Sequence, residues 1–155
     1  MPYRKMYRLI TIYVVCFCAA LCSGCGPKQA KTYYVEGTIT INGKPTEKVL
    51  VTFVPKTEGN GIQASGVTDA QGLYKLTSQR GQQDKGAEAG DYTVTLSKQE
   101  SKPLAKPFTD PSGREFTEEF FETMPIDYRN PFRSPLNATV NAGENKGLDF
   151  DVELK

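Results

Sequence analysis

The chain has 155 residues, 19 Lys and Arg against 18 Asp and Glu, four cysteines and no histidine. That is enough for one domain around one core and too little for two, and the balanced charge gives no basic surface strong enough for nucleic acid. Without histidine, Ser-His-Asp and Cys-His nucleophile systems are excluded, and the commonest general base near neutral pH and a principal metal ligand are missing.

The N-terminus opens with Arg4, Lys5 and Arg8, and residues 9–21 are almost purely apolar. A run of about 13 residues suits a secretory h-region and falls short of the roughly 20 that span a bilayer as a helix. Leu21-Cys22-Ser23-Gly24-Cys25 follows. This stretch resembles the bacterial lipoprotein signal, in which the lipobox cysteine is diacylated and becomes the first mature residue; Cys22 stands where Leu is commonest. The resemblance implies that residues 1–24 are a signal peptide, Cys25 is the lipidation site, 25–32 is a lipidated tether and 33–155 is the folded domain. An ordinary signal peptide or a short membrane anchor is the alternative. Cys16, Cys18, Cys22 and Cys25 all lie here, so the exported domain has no internal disulfide. Removing the three leader bases leaves 16 basic against 18 acidic residues, a net charge near −2.

From Tyr33 the chain reads as strands. Val35, Gly37, Ile39 and Ile41 alternate with Glu36, Thr38 and Thr40, the period of a half-buried strand. Asn42-Gly43 predicts a type I′ turn, because both central positions need positive φ. Val49, Val51 and Phe53 form the next alternating run, stopped by Pro55. Residues 62–67 give a weaker strand that enters Thr68-Asp69-Ala70-Gln71-Gly72. There Asp69 bonds the turn backbone and Gly72 takes the left-handed position. Return strands follow at 73–77 and 91–97. Residues 136–140 and 148–154 make a closing pair around a turn at 143–145. Seven short strands with turn chemistry between them predict an all-β fold, a seven-stranded antiparallel β-sandwich.

Residues 99–135 break this rhythm. Six prolines, from Pro103 to Pro135, forbid a central strand. Within them Ser112-Gly113-Arg114-Glu115 reads as a capping box, and Phe116, Phe120, Phe121 and Met124 fall on one side of a short helix. The expectation is a helix laying its aromatics over an open end or face of the sandwich. The sharper alternative makes Phe116, Phe120, Phe121, Tyr128 and Phe132 a ligand or partner contact.

Four stretches together carry a family resemblance: Val35-Glu36-Gly37-Thr38-Ile39 with Asn42-Gly43-Lys44-Pro45, then Val49-Leu50-Val51-Thr52-Phe53, then Val67-Thr68-Asp69-Ala70-Gln71-Gly72-Leu73-Tyr74, then Gly90-Asp91-Tyr92-Thr93-Val94. Their order resembles carboxypeptidase-regulatory-like domains. Met124-Pro125-Ile126-Asp127-Tyr128-Arg129-Asn130-Pro131 and the closing strands look like the C-terminal half of small lipoproteins of planctomycete-type bacteria. The resemblance implies a transthyretin-like (prealbumin-like) sandwich that acts as an accessory or cell-surface module and not as a catalyst.

The leading functional expectation is a non-enzymatic, lipid-anchored cell-envelope protein whose domain binds or supports another envelope component. Its acyl chains would hold the membrane, and Gly26 after the cysteine resembles lipoproteins sent to the outer membrane. Carbohydrate or peptide binding, on the aromatic segment or along a sheet edge, is the second class; the lack of Trp counts against sugar stacking. The third is a carboxylate enzyme, for which Glu118, Glu119 and Glu122 read better as a solvated face. Neither cofactor nor metal is expected. Asp149, Asp151 and Glu153 on alternate strand positions do not make a compact oxygen cage. An isopeptide bond from Lys48 to Asn137 or Asn145 is a minor alternative.

Overall fold

The structure is a computed structural model that describes residues 31–57, 61–78 and 86–154. In chain order these form β1 (Thr32–Tyr33), β2 (Glu36–Ile41), β3 (Lys44–Pro45), β4 (Leu50–Pro55), β5 (Ala64–Val67), β6 (Leu73–Lys75) and β7 (Thr77–Ser78). Then come β8 (Ala87–Glu88), β9 (Gly90–Ser97), β10 (Gln99–Thr109), β11 (Glu115–Glu122), the helix α1 (Ile126–Arg129), β12 (Asn137–Val140) and β13 (Phe150–Val152). The all-β class is as read from the sequence. Among the described residues, thirteen strand segments stand where seven were expected. The expected signal peptide, 1–24, and the expected lipidation site, Cys25, lie outside the described residues.

One sheet runs in the order β12-β9-β4-β5-β7, with every neighbouring pair antiparallel. A second is built on β2, which pairs antiparallel with β3 and β6 and parallel with β13. Buried side chains of both meet in one cluster: Val35, Ile39, Tyr74 and Val152 with Val51, Phe53, Val94, Leu96 and Val140. Phe53 sits at its centre, fully buried, with ring centroids 5.7 Å from Tyr92, 6.3 Å from Tyr74 and 6.4 Å from Phe150. Burying such a side chain stabilises the fold by about 1.5–3 kcal/mol.

The turns obey their chemistry. Asn42 and Gly43 both have positive φ, 51° and 71°. The Asp69 carboxylate accepts the amides of Gln71 and Leu73, each at 2.9 Å, and Gly72 closes the turn at φ 74°.

Two expectations change. The C-terminal strands are not a paired hairpin: β12 joins β9 in one sheet and β13 joins β2 in the other. The β2–β13 pair is parallel, so the architecture is not wholly antiparallel. Side chains pin that register. Asp149 Oδ1 accepts both the amide and the hydroxyl of Thr38 at 2.7 Å, and Asp151 Oδ1 accepts the Thr40 hydroxyl at 2.6 Å. The Asn42 side chain accepts the Leu154 amide at 2.8 Å. Asp149, just before β13, and Asp151 within it are therefore spent on Thr38 and Thr40 of β2.

The second correction concerns 112–124, where no helix forms. Residues 99–122 are a two-stranded antiparallel hairpin, β10 with β11, that among the described residues pairs with no other strand. The helix of the Pro-rich connection comes later and is a single turn, α1. So short a segment gains little from helical propagation, whereas Asp110 and Gly113 build a tight hairpin turn.

Candidate functional site

The hairpin is an arm. Its turn is made by Asp110, whose Oδ1 accepts the amides of Ser112 and Arg114 at 2.9 Å and the Ser112 hydroxyl at 2.6 Å, while Gly113 takes φ 85°. These bonds hold the Asp110 carboxyl below the usual carboxylate range, the Ser112 hydroxyl contributing most. The predicted capping box is thus a turn, in which Asp110 does the capping. Along the arm the register runs from Gln99↔Glu122 to Thr109↔Glu115, with an irregularity between Pro103 and Phe108 that absorbs Pro107.

Glu122 fastens the arm to the body. Its carboxylate accepts the Ser97 hydroxyl at 2.6 Å, the Lys98 amide at 2.7 Å and the Met124 amide at 3.0 Å. Burial alone would raise its pKa; the Ser97 hydroxyl, the two amides and the Arg129 charge outweigh that and lower it. Thr123 adds a backbone amide bond of 2.8 Å to the Lys98 carbonyl. Met124, next in the chain, is buried in the core.

The predicted contact residues divide. Phe116, Phe120 and Phe121 lie on β11. Strand alternation puts Phe116, Glu118, Phe120 and Glu122 on one face, with Glu115, Thr117, Glu119 and Phe121 on the other. Phe120 is 71% exposed and Phe121 42% exposed, so these rings do not cover the core. Phe116 stacks on Phe108, centroids 5.0 Å apart and 10° between planes. Lys102 lies 5.8 Å over the Phe121 ring and pairs with Glu119 at 2.6 Å. Tyr128, in α1, instead packs against the core. Phe132 stands at 96% exposure in the loop after the helix, apart from the arm's ring pair. Sequence reasoning missed Phe108 and Glu122 in these roles. The signal was present: Thr109-Asp110-Pro111-Ser112-Gly113 has the spacing of Thr68-Asp69-Ala70-Gln71-Gly72.

At the base of the arm an open groove of about 470 Å³ is lined by Glu47, Lys48, Lys98, Glu100 and Phe120 among others. The bulge of β10 makes a second, of about 540 Å³, with Lys102, Pro103, Lys106 and Glu119 on its walls. Both are shallow surfaces of paired charges beside an apolar wall, suited to contact with a chain more than to enclosing a small molecule. Glu118 and Glu122 face one side of the arm and Glu119 the other, on a strand and not on a helix. Among the described residues no three metal-ligating side chains cluster, and no helix is long and apolar enough to cross a membrane.

Elsewhere, polar side chains complete structural bonds. Tyr74 donates to the Leu148 carbonyl at 2.6 Å and Tyr92 to the Glu88 carbonyl at 2.8 Å. Burial raises the phenol of Tyr74, and burial with the Glu88 charge pushes that of Tyr92 up to about 12. Asn145 is buried, holding the Asn141 amide and carbonyl and the Tyr34 carbonyl. Lys48 is exposed and pairs with Glu47 at 3.7 Å, away from the buried bonds of Asn145 to Asn141 and Tyr34. Compared with protein-family models, curated proteins and solved structures, the chain matches none.

Proposed function

We propose that this chain is a lipid-anchored, non-enzymatic accessory protein of a bacterial cell envelope. In this reading a transthyretin-like sandwich presents the 99–122 arm to another envelope component. The observation that carries it is the arm: a two-stranded ribbon, paired with no other strand among the described residues, with Phe108, Phe120 and Phe121 facing solvent. Isolated two-stranded hairpins are marginal in water, and this one exposes rings on both of its faces instead of burying them. The lipobox-like stretch ending in Cys25 supports the anchor, and two or more acyl chains would hold the membrane firmly. The stretches that resemble carboxypeptidase-regulatory-like domains fall on turns and strands of the body, which supports reading the body as such a module.

The test is the intact mass of the protein from a detergent-extracted envelope fraction, beside a Cys25→Ala variant. A mature chain beginning at an acylated Cys25, with the variant released or left unprocessed, is the expected result. An unmodified mass with cleavage elsewhere would overturn the anchor and leave a free exported domain.

A further inference from the structure

The two edges of the arm are not equivalent. Thr123 donates to the Lys98 carbonyl, so by antiparallel alternation Phe121 and Glu119 turn their backbone toward β10. Glu118, Phe120 and Glu122 then turn their N–H and C=O groups outward. On β10 the outward positions are Gln99, Ser101 and Pro103. Pro103 offers no donor, and the irregularity with Pro107 follows at once. Lys102 and Lys106 add the charges that typically guard an edge. The β10 edge is blunted. Over Glu115–Glu122, β11 has no proline, no base and four carboxylates.

Those carboxylates select what pairs there. Joining β11 antiparallel to a second copy with outward residues opposed sets Glu118 against Glu118, Glu119 against Glu119 or Glu118 against Glu122 in its three central registers, and like charges directly opposite destabilise a ladder. A second copy is therefore a poor occupant. An extended segment carrying bases opposite these acids is complemented at every charged position. Glu122 is already spent on Ser97, Lys98 and Met124, and Glu119 is shared with Lys102, which leaves Glu115 and Glu118 as the carboxylates that face a partner outright.

We propose that the outer edge of β11 is a strand-addition site for a basic, extended peptide segment of a partner protein. Read antiparallel from Phe121 back to Glu115, the matching segment has two apolar residues, two basic residues, one polar, one apolar and one basic. Main-chain bonds to Glu118 and Phe120 supply affinity, and the alternating charges and rings supply register. This deepens the reading of the arm as the contact surface and is independent of lipidation at Cys25.

The experiment uses the full chain in detergent micelles and a capped heptapeptide, Val-Val-Lys-Lys-Thr-Val-Lys, beside its charge-reversed form with Glu for each Lys. Amide exchange is followed by NMR. The basic peptide should slow exchange of the Glu118 and Phe120 amides by about tenfold, the scale of one added backbone bond, and leave the Gln99 and Ser101 amides unchanged. Glu118→Gln should weaken binding and flatten its salt dependence. Glu118→Pro, which copies onto β11 the donor loss of Pro103 directly opposite, should abolish it while the other amides keep their shifts. Equal binding of the acidic peptide, binding without protection at Glu118 and Phe120, or no binding at millimolar peptide would overturn the proposal. So would protection of these amides by anionic vesicles or glycan fragments in place of the peptide. The intact-mass result on Cys25 stands or falls separately.

Discussion

Gly37 is the position where a single methyl group should do most damage. It is buried in β2, between β6 and the segment entering β13. A Cβ built there lies 2.1 Å from the Leu148 carbonyl oxygen, 2.5 Å from its carbon and 2.9 Å from the Tyr74 hydroxyl. An ordinary C···O contact is about 3.3 Å, so the Leu148 backbone must retreat by about 1.2 Å. That carbonyl accepts the Tyr74 hydroxyl at 2.6 Å, and the Leu148 amide donates to the Glu36 carbonyl at 3.2 Å. Overpacking costs about 1–3 kcal/mol, and a buried hydroxyl left without its partner a further 1–3 kcal/mol. Alanine's lower backbone entropy returns about 0.5–1 kcal/mol. Gly37→Ala should therefore lose about 3 kcal/mol.

For a domain of this size such a loss lowers Tm by about 10 °C, and urea unfolding followed by far-UV circular dichroism should show a lower midpoint at unchanged slope. Tyr74→Phe supplies the internal check. Both substitutions break the same hydrogen bond, so the double variant should be less destabilised than the sum of the singles by about 1 kcal/mol. A Gly37→Ala protein within about 0.5 kcal/mol of the parent, or strict additivity, would refute the close approach of Leu148.

Two pH predictions follow from the buried groups. Tyr92 has a folded-state pKa of about 12 against an ordinary 10.0, and Tyr74 is also raised. Their contribution is fully present below pH 10 and is lost as pH rises through the folded values, so spectrophotometric titration should show these two phenols ionising only with unfolding. Glu122 behaves oppositely: its native pKa lies below 4.5, so its contribution is present above that value and fades as pH falls through the native one. Acidification, or Glu122→Gln at neutral pH, should speed exchange of the Lys98 and Met124 amides before the core amides change. Simultaneous loss would mean the arm and body open as one unit.

Much of the body was legible because its signals are local. The Val35–Ile41 alternation, the Asn42-Gly43 turn and the Asp69–Gly72 turn each need only a few neighbouring residues to specify them. The partners of the last two strands were not legible. Leu148, Phe150 and Val152 alternate as a strand should, but alternation says only which face is buried. What sends β13 beside β2 in parallel is the fit of Asp149 and Asp151 to Thr38 and Thr40, contacts spanning 111 residues. Side-chain spacing within one strand carries no trace of that distance.

The arm was ambiguous in a different way. Phe116 and Phe120 are four apart, as are Glu118 and Glu122, so residues 115–122 satisfy a helical face as well as an alternating strand. The turn before them resolves it. Asp69 and Asp110 each accept the amides two and four residues on, at 2.9 Å, and Gly72 and Gly113 each donate back to the aspartate carbonyl at 2.9 Å. In each case the aspartate amide also bonds the carbonyl four residues later, Leu73 or Arg114, at 2.9 Å. At Asp110 the turn returns the chain antiparallel to itself, and the eight residues of β11 pair with β10. The same five-residue device at Asp69 instead carries Leu73 and Tyr74 from β5 across to β2 in the other sheet. At Asp110 it makes a free-standing arm, because among the described residues β11 meets no third strand.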